Sequence, residues 1–326
     1  MRATTLIVML SLLIAVPAIA RPPADRGYSG GSDVLEINGK TVFVSRLFGG
    51  NVVAEAVEES LGNDKFPGKH PGPTHIEPIV ADLPVNALDD VLGDFLSGAN
   101  KTFSGSMITL NAEMRPVAHR QFENATIAEV HFDALDGSSK EPASVQVKIA
   151  PGVLRSVATD AAPKMSLDAK RQKGSLTSNF RVAIPGVDCA RVSRIEPIVI
   201  TAGANGGKIS CANLVLMVSE AGAKDFADWH RQVIIDGRTG PETEKTATIQ
   251  LLSPNMKDVE LTLEANGVGI LAVRPGAMES GSESVRRVAV EMYVERWALK
   301  PAGGANAPAT PAPEGSTPKP APRKPR

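Results

Sequence analysis

The chain has 326 residues, of which 42% are hydrophobic and 22% charged, and its formal net charge at pH 7 is -1. This length predicts about two domains, because a domain usually holds roughly 100–200 residues. A near-neutral chain is not built to neutralise many phosphates, so the composition argues against nucleic-acid recognition. Aromatic residues make up only 4% of the chain, so we expect a core of aliphatic side chains.

The first twenty residues have the pattern of an export signal. Arg2 supplies a positive charge, Leu6 to Ala15 form a short apolar run, and the small residues Ala18 and Ala20 precede Arg21. The run is shorter than the ~20 residues that a membrane span needs. The sequence therefore predicts cleavage between Ala20 and Arg21 and no transmembrane segment afterwards. It also predicts export to the periplasm, the cell surface or the medium.

The rest of the sequence reads as a tandem repeat. Residues 41–155 and 179–299 each run through a β-rich opening, a glycine-rich loop, an apolar strand, an amphipathic helix and several alternating strands. The helices are predicted to begin near Asn86 and Ser219. After them come matching phrases that begin at Lys101 and Lys245. Self-similarity of this kind indicates repeated structural units, so we predict two tandem domains over these ranges.

Three segments lie outside the predicted domains. Residues 21–40 are rich in Gly, Ser, Pro and charge and are predicted to be a flexible arm. Residues 156–178 are polar and are predicted to be a linker. Residues 300–326 are rich in Pro, Ala and Gly, end in Pro-Arg-Lys-Pro-Arg, and are predicted to be a disordered basic tail. The tail could be an electrostatic tether to an acidic surface or could be inert.

A long segment from Glu58 to Thr74 is dense in glycine and proline, which predicts an exposed loop without regular secondary structure. Long loops in compact domains are usually functional or disordered. We therefore consider this loop the candidate interaction surface. The residues chosen for that surface are Glu58, Lys65, Phe66, Pro67, Lys69, His70 and Thr74. The corresponding loop of the second repeat, from Thr201 to Lys208, is much shorter.

No catalytic or cofactor-binding motif is present in the sequence. The five histidines (His70, His75, His119, His131 and His230) do not form a metal-binding pattern, and the chain has no P-loop and no Gly-x-Ser-x-Gly elbow. Gly-Val-Gly at Gly267 lacks the rest of a dinucleotide-binding fingerprint. The sequence thus predicts a non-enzymatic protein without cofactor or metal.

The chain contains two cysteines, Cys189 and Cys211, and both lie in the second repeat. In an oxidising compartment such a pair is a candidate disulfide. The alternative is two buried thiols that pack as small hydrophobic side chains.

Several phrases of the first repeat resemble the tail-tube protein family of contractile phages and related injection systems, including T4-like tail tubes. They are Gly49-Gly-Asn-Val-Val-Ala-Glu-Ala-Val-Glu-Glu-Ser, then Phe66-Pro-Gly-Lys-His-Pro-Gly, the strand from His75, the helix from Asn86, and Gln121-Phe-Glu-Asn-Ala. The second repeat is similar in layout from Phe180 to Leu299 but lacks the Pro-Gly-Lys-His phrase. Together the two repeats cover roughly three-quarters of the chain.

The resemblance implies a mainly β fold, in which each domain is a barrel or sandwich of packed sheets beside one amphipathic helix. Such domains assemble side by side into six-membered rings, and the loop at the position of Glu58–Thr74 helps to stack one ring on the next. The sequence departs from the family in its two fused repeats and its signal peptide. A fused pair could form a trimeric, pseudo-hexameric ring, or it could have lost ring assembly.

Two functional hypotheses follow from this sequence. The first is a structural protein that associates with itself and with other tail or envelope proteins. The second is an exported monomeric binding module that uses the same fold to hold a polysaccharide, an envelope component or another protein.

Overall fold

The structure is a computed structural model, and it describes residues 31–59, 62, 65–85, 87, 89–162, 175–203, 207–276 and 286–301. The predicted signal peptide with its cleavage site at Ala20 and Arg21 lies outside these residues, as do most of the predicted arm, linker and basic tail. Within the described ranges, no helical segment has the length and apolar character that a membrane span requires.

The elements of the first half follow one another in chain order. They are β1 (Ser32–Ile37), β2 (Lys40–Val44), β3 (Arg46–Gly49), β4 (Val52–Glu59), β5 (Gly68–Ile76), β6 (Ile79–Pro84), α1 (Asp89–Leu96), β7 (Phe103–Leu110), β8 (Pro116–Phe132), β9 (Leu135–Asp136), β10 (Ser144–Ala150) and β11 (Val153–Ser156). A short 3-10 helix, Thr159–Ala161, follows.

The elements of the second half are fewer. They are β12 (Phe180–Ala183), β13 (Val192–Ile195), β14 (Ile198–Gly203), β15 (Gly207–Cys211), β16 (Leu214–Ser219), α2 (Lys224–His230), β17 (Lys245–Leu252), β18 (Val259–Pro275) and β19 (Arg287–Pro301). The last turn of α2 continues as a π-helical segment, Arg231–Ile235. The predicted mainly β fold class is confirmed, and the strands form a nearly closed barrel.

The strands form two large antiparallel sheets and one separate hairpin. The main path of the first sheet is β2-β1-β7-β8-β10-β6-β3, and the path of the second is β12-β17-β18-β19-β16-β13-β9. Strands at corresponding places in the two halves of the sequence therefore occur in the same order, β1-β7-β8-β10-β6-β3 beside β12-β17-β18-β19-β16-β13. Strands β4 and β5 pair only with each other among the described strands.

The predicted flexible arm over residues 21–40 is wrong in its later part, because Ser32–Ile37 forms strand β1. Ser32–Ile37 pairs with both β2 and β7, and Val34 and Leu35 are fully buried. The reason is an apolar pattern, Val34-Leu35-Glu36-Ile37, hidden among polar and glycine residues that dominate the composition of the segment. The predicted linker over residues 156–178 is also partly structured, because Ser156 ends β11 and Ser175 is fully buried.

Both predicted helices pack an apolar face on the sheets. In α1 the side chains of Leu92, Phe95 and Leu96 are buried, and Gly98 ends the helix with a positive φ of 87°. The predicted start at Asn86 lies outside the described residues. In α2 the buried side chains are Phe226 and Trp229, and the indole Nε1 of Trp229 donates to the carbonyl of Thr243 at 3.1 Å.

The two halves share one hydrophobic core and exchange strands at a seam. Strand β14 of the second half pairs with β8 of the first, and β9 of the first half pairs with β13 of the second. A single cluster of buried side chains contains Leu35 and Phe95 of the first half together with Phe226 and Trp297 of the second. Sequence patterns alone had indicated two domains joined by a linker, whereas the seam is built from main-chain hydrogen bonds between the halves.

A charged contact also crosses the seam. The guanidinium of Arg194 in β13 lies 2.9 Å from Asp136 in β9 and 2.9 Å from Glu196. Hydrogen bonds from the hydroxyl and backbone N–H of Ser138, followed by one from Arg194, lower the pKa of Asp136 to about 2.

The Asp136→Asn variant should therefore be less stable than the wild type in a pH-dependent way. The lowered pKa stabilises the fold above the ordinary carboxyl pKa, and that contribution disappears as the pH falls from about 4 to about 2. Because the carboxylate is partly exposed, we expect a loss of at most ~1 kcal/mol near neutral pH. Urea denaturation at about pH 6 and about pH 2 measures it. An equal difference between variant and wild type at both pH values would contradict the assignment.

Candidate assembly surface

The β4–β5 hairpin is highly exposed to solvent. Val52–Glu59 and Gly68–Ile76 pair antiparallel, from Val52 opposite Ile76 to Glu59 opposite Gly68. Every residue of β4 except Val53 is exposed to solvent. An isolated two-stranded hairpin is only marginally stable in water, so a third strand or another surface would stabilise it.

The predicted irregular loop over Glu58–Thr74 is therefore wrong for most of its length. Gly68–Ile76 forms a strand in spite of Pro71 and Pro73. The register shifts between Ala54 and Ala56, so that Gly72 and Pro73 of β5 together lie opposite the single residue Glu55 of β4. Proline is tolerated at such irregular positions and on edge strands, because its missing N–H is not needed there. The density of prolines concealed a strand that pairs only with β4 among the described strands.

The candidate residues chosen from sequence fall into two groups on this hairpin. Glu58 lies on β4, and Lys69, His70 and Thr74 lie on β5. Lys65, Phe66 and Pro67 precede β5 near the tip, and the side chain of Phe66 is 79% exposed. The structure thus brings the predicted residues together on one protruding element.

One ion pair and one histidine–carboxylate contact connect the two strands near the tip. The Nζ atom of Lys69 lies 2.7 Å from a carboxylate oxygen of Glu58, and Nδ1 of His70 lies 4.0 Å from Glu59. All four side chains are well exposed, so each pair contributes little to stability. Their position favours a role in holding the tip in one geometry or in contacting a partner.

The base of the hairpin exposes a hydrophobic side chain that sequence reasoning missed. Val52 is 62% exposed, and Phe48, on the adjoining strand β3, is 50% exposed. Exposed valines on a sheet are common, but here the residue sits where the hairpin leaves the first sheet.

The corresponding hairpin of the second half is held in place. Strands β14 and β15 pair with each other, and β14 also pairs with β8 across the seam. Ile198 and Ile200 of β14 are 4% and 0% exposed. Two hairpins at the same place in their halves therefore differ in environment, one bound to a neighbouring strand and the other projecting.

A polar cleft lined by residues of both halves contains four carboxylates, and three of them have side-chain partners. Asp82 lies 2.7 Å from Arg46, Asp136 bonds Arg194, and Asp133 accepts a hydrogen bond from Ser144. Within the described ranges, no three His, Cys, Asp or Glu residues are arranged to hold a metal ion.

Cys189 and Cys211 are free thiols rather than the predicted disulfide. Cys189 lies in the connection between β12 and β13, whereas Cys211 ends β15 opposite Ile200, so the two belong to different elements. Burial raises the pKa of Cys189 to about 11 and also raises the pKa of Cys211. Both thiols therefore resemble the alternative of small packed hydrophobic side chains.

Comparison with known proteins gives partial structural matches. No family model matches the sequence, and no curated protein matches it either. A chain from the sheath–tube complex of PVC, an extracellular contractile injection system in its extended state, matches with a TM-score of 0.34 and 12% identity over 41% of this chain and 95% of its own. The sheath/tube terminator of the same system matches with a TM-score of 0.34 and 15% identity, over 43% and 100%.

The tube-terminating cap of the anti-feeding prophage is a third match, with a TM-score of 0.34 and 14% identity over 44% of this chain and 99% of its own. All three matches are at low identity and cover less than half of this chain.

Proposed function

We propose that the protein is a structural, non-enzymatic component built from two tail-tube-like units, residues 41–155 and 179–299, and that it self-associates into rings. The observation that carries the proposal is the β4–β5 hairpin, which projects with an exposed hydrophobic base and pairs with no third strand among the described strands. An unpaired hairpin edge is a template for pairing with another chain. The sequence resemblance to tail-tube proteins supports the same conclusion.

Two units of the same fold account for the matching strand order of the two antiparallel sheets. A chain with two units would form a six-unit ring from three copies, and rings of this kind would stack into a tube or cap one. The proposed partners are therefore further copies of this chain and other tail or envelope proteins. In this proposal the predicted signal peptide directs the assembly outside the cytoplasm.

The purified chain should have a concentration-dependent mass well above the 34.2 kDa of one copy. Light scattering over a concentration series measures the mass, and negative-stain electron microscopy of the same sample reveals rings or tubes. We expect three-chain or larger ring-shaped particles. A mass of one chain at every concentration, with no particles, would contradict the proposal and favour an exported monomeric binding module instead.

A further inference from the structure

We propose that β4 of one copy adds to the exposed edge of β18 in the next copy, with Val52 opposite Val273. This inference rests on the proposed self-association and specifies the strands that perform it. It is drawn from a junction that the chain already makes within itself, between β14 and β8.

The two long strands β8 and β18 can be aligned residue by residue. Each has 17 residues. Strand β8 pairs with β10 and β18 pairs with β19, and each pairing contains one register shift. In β8 the shift leaves Ala128 unpaired between Ile127 and Glu129, and in β18 it leaves Leu271 unpaired between Ile270 and Ala272. The irregularity therefore makes Val130 equivalent to Val273 and Phe132 equivalent to Pro275.

The same alignment relates the two hairpins. Ile149 pairs with Ile127 and with Ile79, and its equivalent Met292 pairs with Ile270 and with Leu214. Ile79 thus corresponds to Leu214. Gly49 pairs with Ile79, and the pairing of β13 with β16, extended from Ile195 opposite Leu216, places Pro197 opposite Leu214. Counting forward from Gly49 and Pro197 makes Gly50 equivalent to Ile198 and Val52 equivalent to Ile200.

Within the chain, the equivalent junction between β14 and β8 is paired and buried. β14 pairs with β8 with Ile200 opposite Val130 and Ile198 opposite Phe132. All four side chains are nearly or fully buried, with Ile200 and Val130 at 0% exposure. The strand addition closes the core at the far end of β8, beyond the part that β7 covers.

The equivalent positions on β4 and β18 are not covered by a further partner strand among the described residues. Val52, the equivalent of Ile200, is 62% exposed, and Val273, the equivalent of Val130, is only partly buried. Among the described strands, β18 has no partner at Ala272–Pro275 other than β19. The chain therefore has a donor hairpin in its first half and an acceptor edge in its second half, and both lack the partner that their counterparts have.

The contact between β9 and β13 shows the same difference between the two halves. Strand β13 carries β9 on its outer side, with Arg194 opposite Asp136, whereas its counterpart β3 is the last strand of its sheet among the described strands. The first half therefore lacks two neighbours that the second half receives from within the chain.

These two open surfaces are different from each other, so the contact is head-to-tail. Head-to-tail contacts produce closed rings when the rotation closes and filaments when it does not. The added strand forms main-chain hydrogen bonds, and its alternate side chains fill the apolar positions of the acceptor. The pairing covers Ala272–Arg274 and ends at Pro275, which has no N–H to donate.

The Val52→Asp variant should abolish self-association and leave the single chain folded. The substitution places a charge where the junction is apolar, while Val52 is largely exposed in the single chain. Ile235→Asp is the matched control, since Ile235 is a branched aliphatic side chain with 70% exposure at a site away from the hairpin. Light scattering should give a single-chain mass for Val52→Asp and the wild-type mass for Ile235→Asp, and the far-UV circular dichroism spectra of both variants should match that of the wild type.

A crosslinking experiment tests the register directly. In a chain with Cys189→Ser and Cys211→Ser, one preparation carries Val52→Cys and another carries Val273→Cys. A short bifunctional thiol reagent should join the mixed preparations into a covalent dimer, because directly opposed side chains lie about 5 Å apart at Cβ. Neither preparation alone should give this product, and a mixture of Ile235→Cys with Val273→Cys should not crosslink.

The outcomes separate the two proposals. If the wild type assembles, but Val52→Asp assembles equally well and no crosslink forms, this junction is wrong and the proposed function stands. If the wild type remains a single chain, both are overturned. Loss of assembly in Val52→Asp alone, together with the mixed crosslink, supports both.

Discussion

Replacing Trp297 with alanine should lower the free energy of unfolding by about 3–5 kcal/mol, the range for truncating a large buried aromatic side chain. Trp297 is the largest fully buried side chain and is 1% exposed. It lies on β19 beside Leu96 of α1 and Ile200 of β14, so its removal leaves a cavity where the two halves meet. Urea denaturation followed by circular dichroism measures the change.

The number of unfolding transitions is a second expected result. Because one hydrophobic cluster includes both halves, we expect the variant and the wild type each to unfold in one cooperative step. Phe48→Ala is the control, since this ring is half exposed and its loss should change stability by roughly 0.5 kcal/mol. A loss below ~1 kcal/mol for Trp297→Ala, or separate transitions for the two halves, would contradict a shared core.

Replacing Gly105 with alanine should destabilise the chain by about 3 kcal/mol, because the new methyl group has no space. A Cβ atom on Gly105 would lie 2.1 Å from the carbonyl oxygen of Glu36 and 2.5 Å from Cζ of Phe122. The first contact is to the backbone of β1, which a rotamer change cannot relieve. Strands β1 and β7 would have to separate. The melting temperature and the urea midpoint report the loss.

Gly93→Ala is the matched control and should change stability in the opposite direction. Gly93 lies within α1, and a Cβ atom there would meet nothing within 4 Å. Alanine is favoured over glycine in a helix by roughly 0.5–1 kcal/mol, so this variant should be slightly more stable than the wild type. Equal effects of the two substitutions would show that the space around Gly105 is not the cause.

Local patterns in the sequence were sufficient for the parts of the fold that local physics decides. The alternation of Val145, Val147 and Ile149 identified a strand buried on one face, and all three are at most 1% exposed. The helical spacing of Leu92, Phe95 and Leu96 identified the buried face of α1. Each pattern reflects the period of its own element, so no knowledge of the partner strand was needed.

The strand exchange between the halves could not be predicted in this way. Nothing in the sequence of β14 distinguishes pairing with β8 from pairing within its own half, because both partners present an apolar face. Strand β1 was missed because three apolar residues stood within a polar, glycine-rich segment. The signal for such elements is long-range, and it appears only when the neighbouring strands are in place.

The segment Glu58–Thr74 was predicted to be an exposed loop, and most of its described residues are exposed but lie in β-strands. Proline and glycine content predicted exposure between Glu58 and Thr74, but an edge strand tolerates these residues as well as a loop does. The residues that carry the proposed junction, Val52 and Val273, were not singled out from sequence. A valine in a strand is unremarkable until its counterpart is found buried elsewhere in the same chain.

The exchange of β14 also determines when the protein can fold. The far end of β8 is complete only when residues after Ile198 have been made, about 65 positions later in the chain. During synthesis the first half must wait with an apolar strand edge uncovered, which is a state prone to pairing with other chains. The seam and the shared core can therefore be completed only after the second half has been made.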